Sequence, residues 1–220
     1  MLFRSAIYSF TLFELMEYRV ADEGRDEFGW DAQGWIGNDD HKFWWKSEGD
    51  AAFDGGDEGA MDVQALYATP LTAFWYLQAG VRYERAWEPG STDDRFSAVL
   101  GVQGIAPYKF DLEPALYVTE DGDVLSQLTA SYDLYVTQRW VLQPRVELFA
   151  SAEDVPESGL EAGVNNGSFD LRLRYEIRRE CAPYVGVRYN RLFGETADVA
   201  AQNGKEDHDL FFVCGARIVF

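Results

Sequence analysis

Cysteine, histidine and methionine are scarce in this sequence: 220 residues hold two Cys, two His and three Met. Two cysteines cannot build a disulfide scaffold, and no Cys-x-x-Cys pair offers the ligand spacing of a structural zinc site. No uninterrupted apolar run reaches the roughly 18 residues that a membrane-crossing helix needs. Basic residues are outnumbered two to one, 19 against 38, and the net charge of -19 argues against a nucleic-acid partner, whose phosphates require a basic surface. Met1 to Val20 contains Arg4, Glu14, Glu17 and Arg19, which break up any apolar signal-peptide core, so the chain reads as cytoplasmic or as a mature form. No Gly-x-Ser-x-Gly elbow, phosphate loop or zinc-protease motif is present, and neither His41 nor His208 has an obvious paired serine and carboxylate. The expectation is a protein that is not an enzyme.

What the chain does have is aromatic mass, 15 Phe, 12 Tyr and 7 Trp, beside its acidity. It also has period-two alternation of apolar and polar residues, the mark of strands. In Leu171 to Arg178, the side chains of Leu171, Leu173, Tyr175 and Ile177 fall on one face and those of Arg172, Arg174, Glu176 and Arg178 on the other. About twelve such segments follow one another, each near the ~9–11 residues of a tilted membrane-spanning strand. Their expected spans are 9–20, 28–37, 41–48, 60–69, 73–84, 95–105, 108–119, 123–135, 139–150, 167–178, 183–193 and 208–220.

The connections alternate in kind. Short ones fall at Gly37–Asp40, Thr69–Thr72, Ala106-Pro107, Val136–Arg139 and Arg179–Pro183, whereas 22–27, 49–59, 86–94, 120–123, 151–166 and 194–207 read as longer, acidic loops whose basic residues are Arg25 and Lys205. Short turns and both termini at one end, long loops at the other and an even strand number are the layout of an outer-membrane barrel. The expected fold is therefore all-β: a single domain over 1–220, a transmembrane antiparallel up-and-down β-barrel of about twelve strands lying in outer-membrane lipid. The competing reading is a soluble β-sandwich or lipocalin-like barrel, but its dry interior would have to hold too many charges. Phe43, Trp44, Trp45, Phe74, Trp75, Tyr76, Tyr108, Phe110, Trp140, Tyr184 and Phe220 cluster at the short-turn end of their strands, as an interfacial aromatic belt would, with Trp44 turned inward.

Several strings occur in a telling order: Trp30-Asp31-Ala32-Gln33-Gly34-Trp35-Ile36-Gly37, Trp45-Lys46-Ser47-Glu48-Gly49, Leu77-Gln78-Ala79-Gly80-Val81-Arg82-Tyr83, Gly101-Val102-Gln103-Gly104-Ile105-Ala106-Pro107-Tyr108, Leu142-Gln143-Pro144-Arg145-Val146-Glu147, Ala182-Pro183-Tyr184 and Phe193-Gly194-Glu195-Thr196-Ala197-Asp198. From about residue 12 onward this series resembles the outer-membrane copper resistance protein B family. The resemblance implies a Gram-negative outer-membrane barrel that handles copper ions beside periplasmic copper proteins. Family members often carry a Met- and His-rich segment ahead of the barrel; this sequence starts almost at its first strand, and Cys181 stands where Phe would be usual.

For copper itself, the candidate ligands are Met16, Met61, His41 and His208, which share no local ligand spacing. Cys181 and Cys214 fall too far apart for a disulfide. The stronger constellation is the set of charges sharing lumen parity: Glu17, Arg19, Asp31, Lys46, Glu48, Arg82, Glu84, Asp111, Glu113, Asp133, Arg145, Glu147, Arg172, Arg174, Glu176, Arg178, Arg188 and Arg217. They serve either as an interlocked network that stiffens a small barrel or as the lining of a cation path. Asp54-Gly55-Gly56-Asp57-Glu58 and Glu120-Asp121-Gly122-Asp123 could hold hard cations weakly. Two functions follow: a barrel that passes or handles copper across the outer membrane, or a non-transporting barrel, plugged by its own charges, that docks periplasmic copper proteins.

Overall fold

The alternation is realised as one closed antiparallel sheet. The computed structural model describes residues 6–22, 24–53, 58–154, 162–194, 196–197 and 207–220. Its strands are β1 (Tyr8–Ala21), β2 (Glu27–Gly37), β3 (Lys42–Ala52), β4 (Gly59–Thr72), β5 (Trp75–Glu88), β6 (Ser91–Ala106), β7 (Phe110–Thr119), β8 (Val124–Tyr132), β9 (Leu134–Tyr135), β10 (Trp140–Ser151), β11 (Gly163–Tyr175), β12 (Cys181–Leu192) and β13 (His208–Val219). Each strand pairs with its sequence neighbours, save that β8 and β9 both pair with β10, and β13 closes on β1. β9 continues β8 in the same register against β10, with Arg145 opposite Ser131 and Leu142 opposite Leu134, so the break at Asp133 leaves a barrel of twelve walls.

Side-chain direction inverts that of a soluble protein. Glu17 and Arg172 are 0% and 1% exposed, whereas Val81 and Phe212 are 59% and 54% exposed. Charges point into the lumen and aliphatics point out, around the whole wall. That arrangement suits an apolar surrounding and would be an aggregation hazard in water. The lumen is not purely polar, however. Leu66, Val99, Tyr117 and Leu125 pack with Trp44 in one inward cluster, and Leu15, Tyr184, Phe211 and Val213 in another. Trp44 thus turns inward as expected. Tyr184 and Tyr76, expected in the aromatic belt, also face the lumen: Tyr184 donates to Glu17, and Tyr76 receives the Lys42 ammonium at 2.7 Å.

Polar side chains close the short turns. Asn38 Oδ1 accepts from the backbone N–H of Asp40 and His41, and Thr137 Oγ1 accepts from those of Arg139 and Trp140. At the opposite end, the expected loop 86–94 is instead a strand hairpin. β5 and β6 pair out to Glu88 and Ser91, leaving only Pro89-Gly90 to turn, with Gly90 in the left-handed region at φ 86°. Residues 120–123 likewise form a tight turn with Gly122 at φ 96°. The Asp54–Asp57 string lies outside the described residues, as do 155–161, 195 and 198–206.

One irregularity governs the lumen. β1 shifts register between Phe13 and Leu15 against β2, and between Phe13 and Glu17 against β13. This bulge flips the parity of the strand. Leu12 and Glu14 point inward before it, and Leu15, Glu17 and Arg19 after it. Opposite the same strand, Gly29 leaves room for the Arg19 guanidinium, since a Cβ there would lie 2.3 Å from Arg19 Cζ.

Candidate functional site

At mid-height, side chains from opposite walls meet. Arg145 on β10 reaches Asp31 on β2 at 2.8 Å and its own strand neighbour Glu147 at 2.6 Å. Lys46 on β3 reaches Glu113 on β7 at 2.7 Å. Gln103 on β6 donates to both Gln33 and Glu113, at 3.0 and 2.8 Å, and itself accepts from Gln78. A pocket of about 40 Å³ lies among these groups, enough for a water molecule or two. Charge-assisted bonds of 2.6–2.8 Å are strong in this poorly solvated setting.

A second knot lies against the β1 bulge. Glu17 accepts from Arg172 twice, at 3.0 and 3.1 Å, from Arg19 at 2.9 Å and from the Tyr184 hydroxyl at 3.0 Å. Arg172 also contacts Asp170 at 3.3 Å, and Arg188 sits between Asp170 and Glu147. Nearer the short turns, Arg174 pairs with Asp133 and Glu176, and Arg217 with Glu14, which also accepts from Gln143. The arginine excess of β11 is therefore compensated from β1, from the break between β8 and β9, and from β11 itself.

Fifteen of the eighteen lumen charges expected from parity take part in these pairs or in that of Arg82 with Asp62 and Glu84. The other three are Glu48, Asp111 and Arg178, and Glu48 has no ion-pair partner among the described residues. Asp111 stands at the short-turn mouth, where β7 begins. Arg178 departs from expectation: β11 ends at Tyr175, so Arg178 is exposed in the turn, bonded through its backbone to Cys181. Sequence reasoning missed Glu14, Asp62 and Asp170. The last two already lie inside expected spans, Asp62 in 60–69 and Asp170 in 167–178 on the parity of Arg172, so alternation alone could have found them. Glu14 has the opposite parity, and only the bulge brings it inside.

Across β2, β3, β4 and β5 runs a row of directly opposed carboxylates: Asp31 faces Glu48, Glu48 faces Asp62, and Asp62 faces Glu84. Like charges directly opposite one another destabilise a sheet. Arg145 and Arg82 offset the cost for Asp31, Asp62 and Glu84, but not for Glu48. Glu48→Gln is expected to raise stability by about 0.5 kcal/mol. The measurement is the urea midpoint of the refolded barrel in micelles; a midpoint that falls would remove the repulsion argument.

Above the row, toward the long loops, the lumen opens into two vestibules of about 910 and 700 Å³. The larger has Glu27, Asp50, Glu58, Asp207 and Asp209 on its walls, with Arg188 at its base. Asp207 lies beyond the strand ends, and its hydrogen bond from His208 at 2.8 Å holds its carboxyl below the usual range.

The four candidate copper ligands do not converge. His41 contacts Tyr67 at the short-turn end, and His208 stands at the far mouth. Met16 and Met61 lie on the outward parities of β1 and β4. Among the described residues, no group of three or more His, Cys, Asp or Glu is placed to hold a metal ion. Cys181 and Cys214 are free and exposed.

Comparison with known proteins agrees with this geometry. A family model described as copper resistance protein B precursor (CopB) matches residues 7–220. The chain is 38% identical over 216 residues to copper resistance protein B of Escherichia coli and 36% identical to its homologue in Pseudomonas syringae pv. tomato, each time covering 98% of this chain and 71% of the relative. Among solved structures it is similar to the NanC porin (TM-score 0.57, 13% identity, 96% of this chain and 99% of that one) and the KdgM porin (TM-score 0.53, 10% identity, 97% and 99%). At such identities the likeness is one of fold: both are porin barrels.

Proposed function

The chain belongs to the copper resistance protein B family, and from that premise we propose that it serves copper tolerance from the outer membrane as a barrel that admits copper ions to its acidic outer half and is closed beneath them by its own charges. The observation that carries this reading is the mid-height lattice: Arg145 to Asp31 and Lys46 to Glu113 tie opposite walls together around a pocket of about 40 Å³. Copper here is cargo. The vestibule carboxylates raise the local concentration of any cation, and the carboxylate row gives a first resting place at the lattice itself. The role is non-catalytic. Passage to the periplasmic side, where periplasmic copper proteins would receive the ion, requires the lattice to part. The geometry favours this closed, handling barrel over a permanently open copper channel.

Two measurements on the purified chain test the two halves of the reading. Equilibrium dialysis in micelles is expected to show copper retained by the wild type and released by the Glu48→Gln/Asp62→Asn variant. Liposomes enclosing a copper-sensitive dye are expected to fill no faster with the wild-type protein than without it. Absence of retained copper overturns capture, and free copper entry through the wild type overturns the closed lattice.

A further inference from the structure

We propose that Arg139, Arg178 and Arg179 form a binding site for the headgroup phosphate of an anionic phospholipid in the leaflet facing the short turns. The site rests on the membrane placement above but not on copper. The turn after β9 and the turn after β11 are joined directly, since the Glu176 N–H donates to the Arg139 carbonyl at 2.8 Å. That bond puts three exposed arginines in adjoining turns on one arc of the rim. Arg139 is steadied by donating to the Tyr175 hydroxyl at 3.3 Å, while Arg178 is held through its backbone to Cys181. None of the three has an ion-pair partner among the described residues, on a chain where the lumen arginines are all paired. The nearby acids are Glu176, already facing Arg174, and Glu180 at the turn tip. The rim is also polarised: the turn between β2 and β3 carries Asp39 and Asp40 instead.

The neighbours of these arginines identify the occupant. Trp140 packs on Tyr175 with ring centroids 4.8 Å apart, and Ile177 and Val136 stand exposed in the same two turns as the arginines. Ile177 extends the outward row of Leu173 and Tyr175. Aromatic and aliphatic groups facing out, with cations just beyond them, match the step from acyl chain to phosphate in a leaflet. Guanidinium groups bind phosphate bidentately, and clustered ones prefer lipids of net negative charge. An acidic protein surface would meet the cations but would leave Ile177 and Trp140 pointing away from it.

The full chain is to be placed in nanodiscs containing phosphatidylglycerol and phosphatidylcholine in equal amounts, then released, and its retained lipids counted by native mass spectrometry. The wild type is expected to keep phosphatidylglycerol with at least about tenfold preference, and the Arg139→Gln/Arg178→Gln/Arg179→Gln variant to fall to about twofold or less. The triple Lys variant, which keeps the charge, retains most of the preference; Asp39→Asn/Asp40→Asn, on the other arc, leaves it unchanged. Heat-modifiable migration on a gel confirms that each variant is a folded barrel. Equal retention of the two lipids by the wild type, or undiminished preference in the Gln variant, overturns the site and leaves an acidic protein as the occupant of this arc. A chain that never enters nanodiscs overturns the membrane reading and the site with it.

Discussion

Replacing Arg145 and Lys46 together by Ala is expected to convert a barrel that carries no steady current in a planar bilayer into one with a resolved open level. These two side chains make the bonds that cross the lumen, to Asp31 and to Glu113. The β-wall does not depend on them, because its backbone ladders run continuously from β1 to β13. Truncation would leave Asp31, Glu48, Glu113 and Glu147 facing a water-filled gap, so the new pore should favour cations. A wild-type protein already conducting at that level would sink the closed-lattice argument. So would a double variant that stays silent while remaining a folded barrel.

The largest expected loss of stability is at Glu17. Its carboxylate is fully buried, accepts four hydrogen bonds and balances both Arg172 and Arg19, which are themselves buried. Glu17→Ala would leave Arg172 only Asp170, which Arg188 shares, and Arg19 only Glu27 at 3.8 Å, in a poorly solvated place, at a cost of about 3–5 kcal/mol. Urea unfolding of the refolded barrel in micelles measures it. Removing Arg172 with the acid should cost less than removing the acid alone: in Glu17→Leu with Arg172→Met, Arg19 keeps Glu27 and Asp170 keeps Arg188, and apolar replacements of buried ion pairs are often neutral. A single variant within about 1 kcal/mol of wild type would show that water enters this knot freely and screens it, as it does exposed pairs.

Much of the fold was legible in the sequence because strand geometry is local. Period-two alternation fixes which side chains share a face whatever the wall does next, so Arg172, Arg174 and Glu176 fell on the lumen side as read. The strand hairpin at Pro89-Gly90 was less legible. An acidic, polar stretch looks like a loop, and nothing nearby reveals that β5 and β6 keep pairing beyond the apolar band. Tyr184 was misplaced for a related reason: an aromatic ring near a strand end suits a lipid interface as well as it suits a buried carboxylate acceptor.

The candidate site divides along the same line. The sequence by itself determined the wall: about twelve strands, their order, an apolar outside, a charged inside and an acidic mouth, together with the motifs that mark the family. Only the tertiary structure decided which charges meet. Arg145 and Asp31 are 114 residues apart, and Arg217 and Glu14 are 203 apart. Such partners depend on how the sheet closes and how its strands are staggered. The bulge in β1 that turns Glu14 inward shows the same limit, because one extra residue reverses parity for the rest of a strand. Whether the charges make a path or a barrier was thus a question of closure, and closure brings opposite walls near enough for their side chains to bond across the lumen.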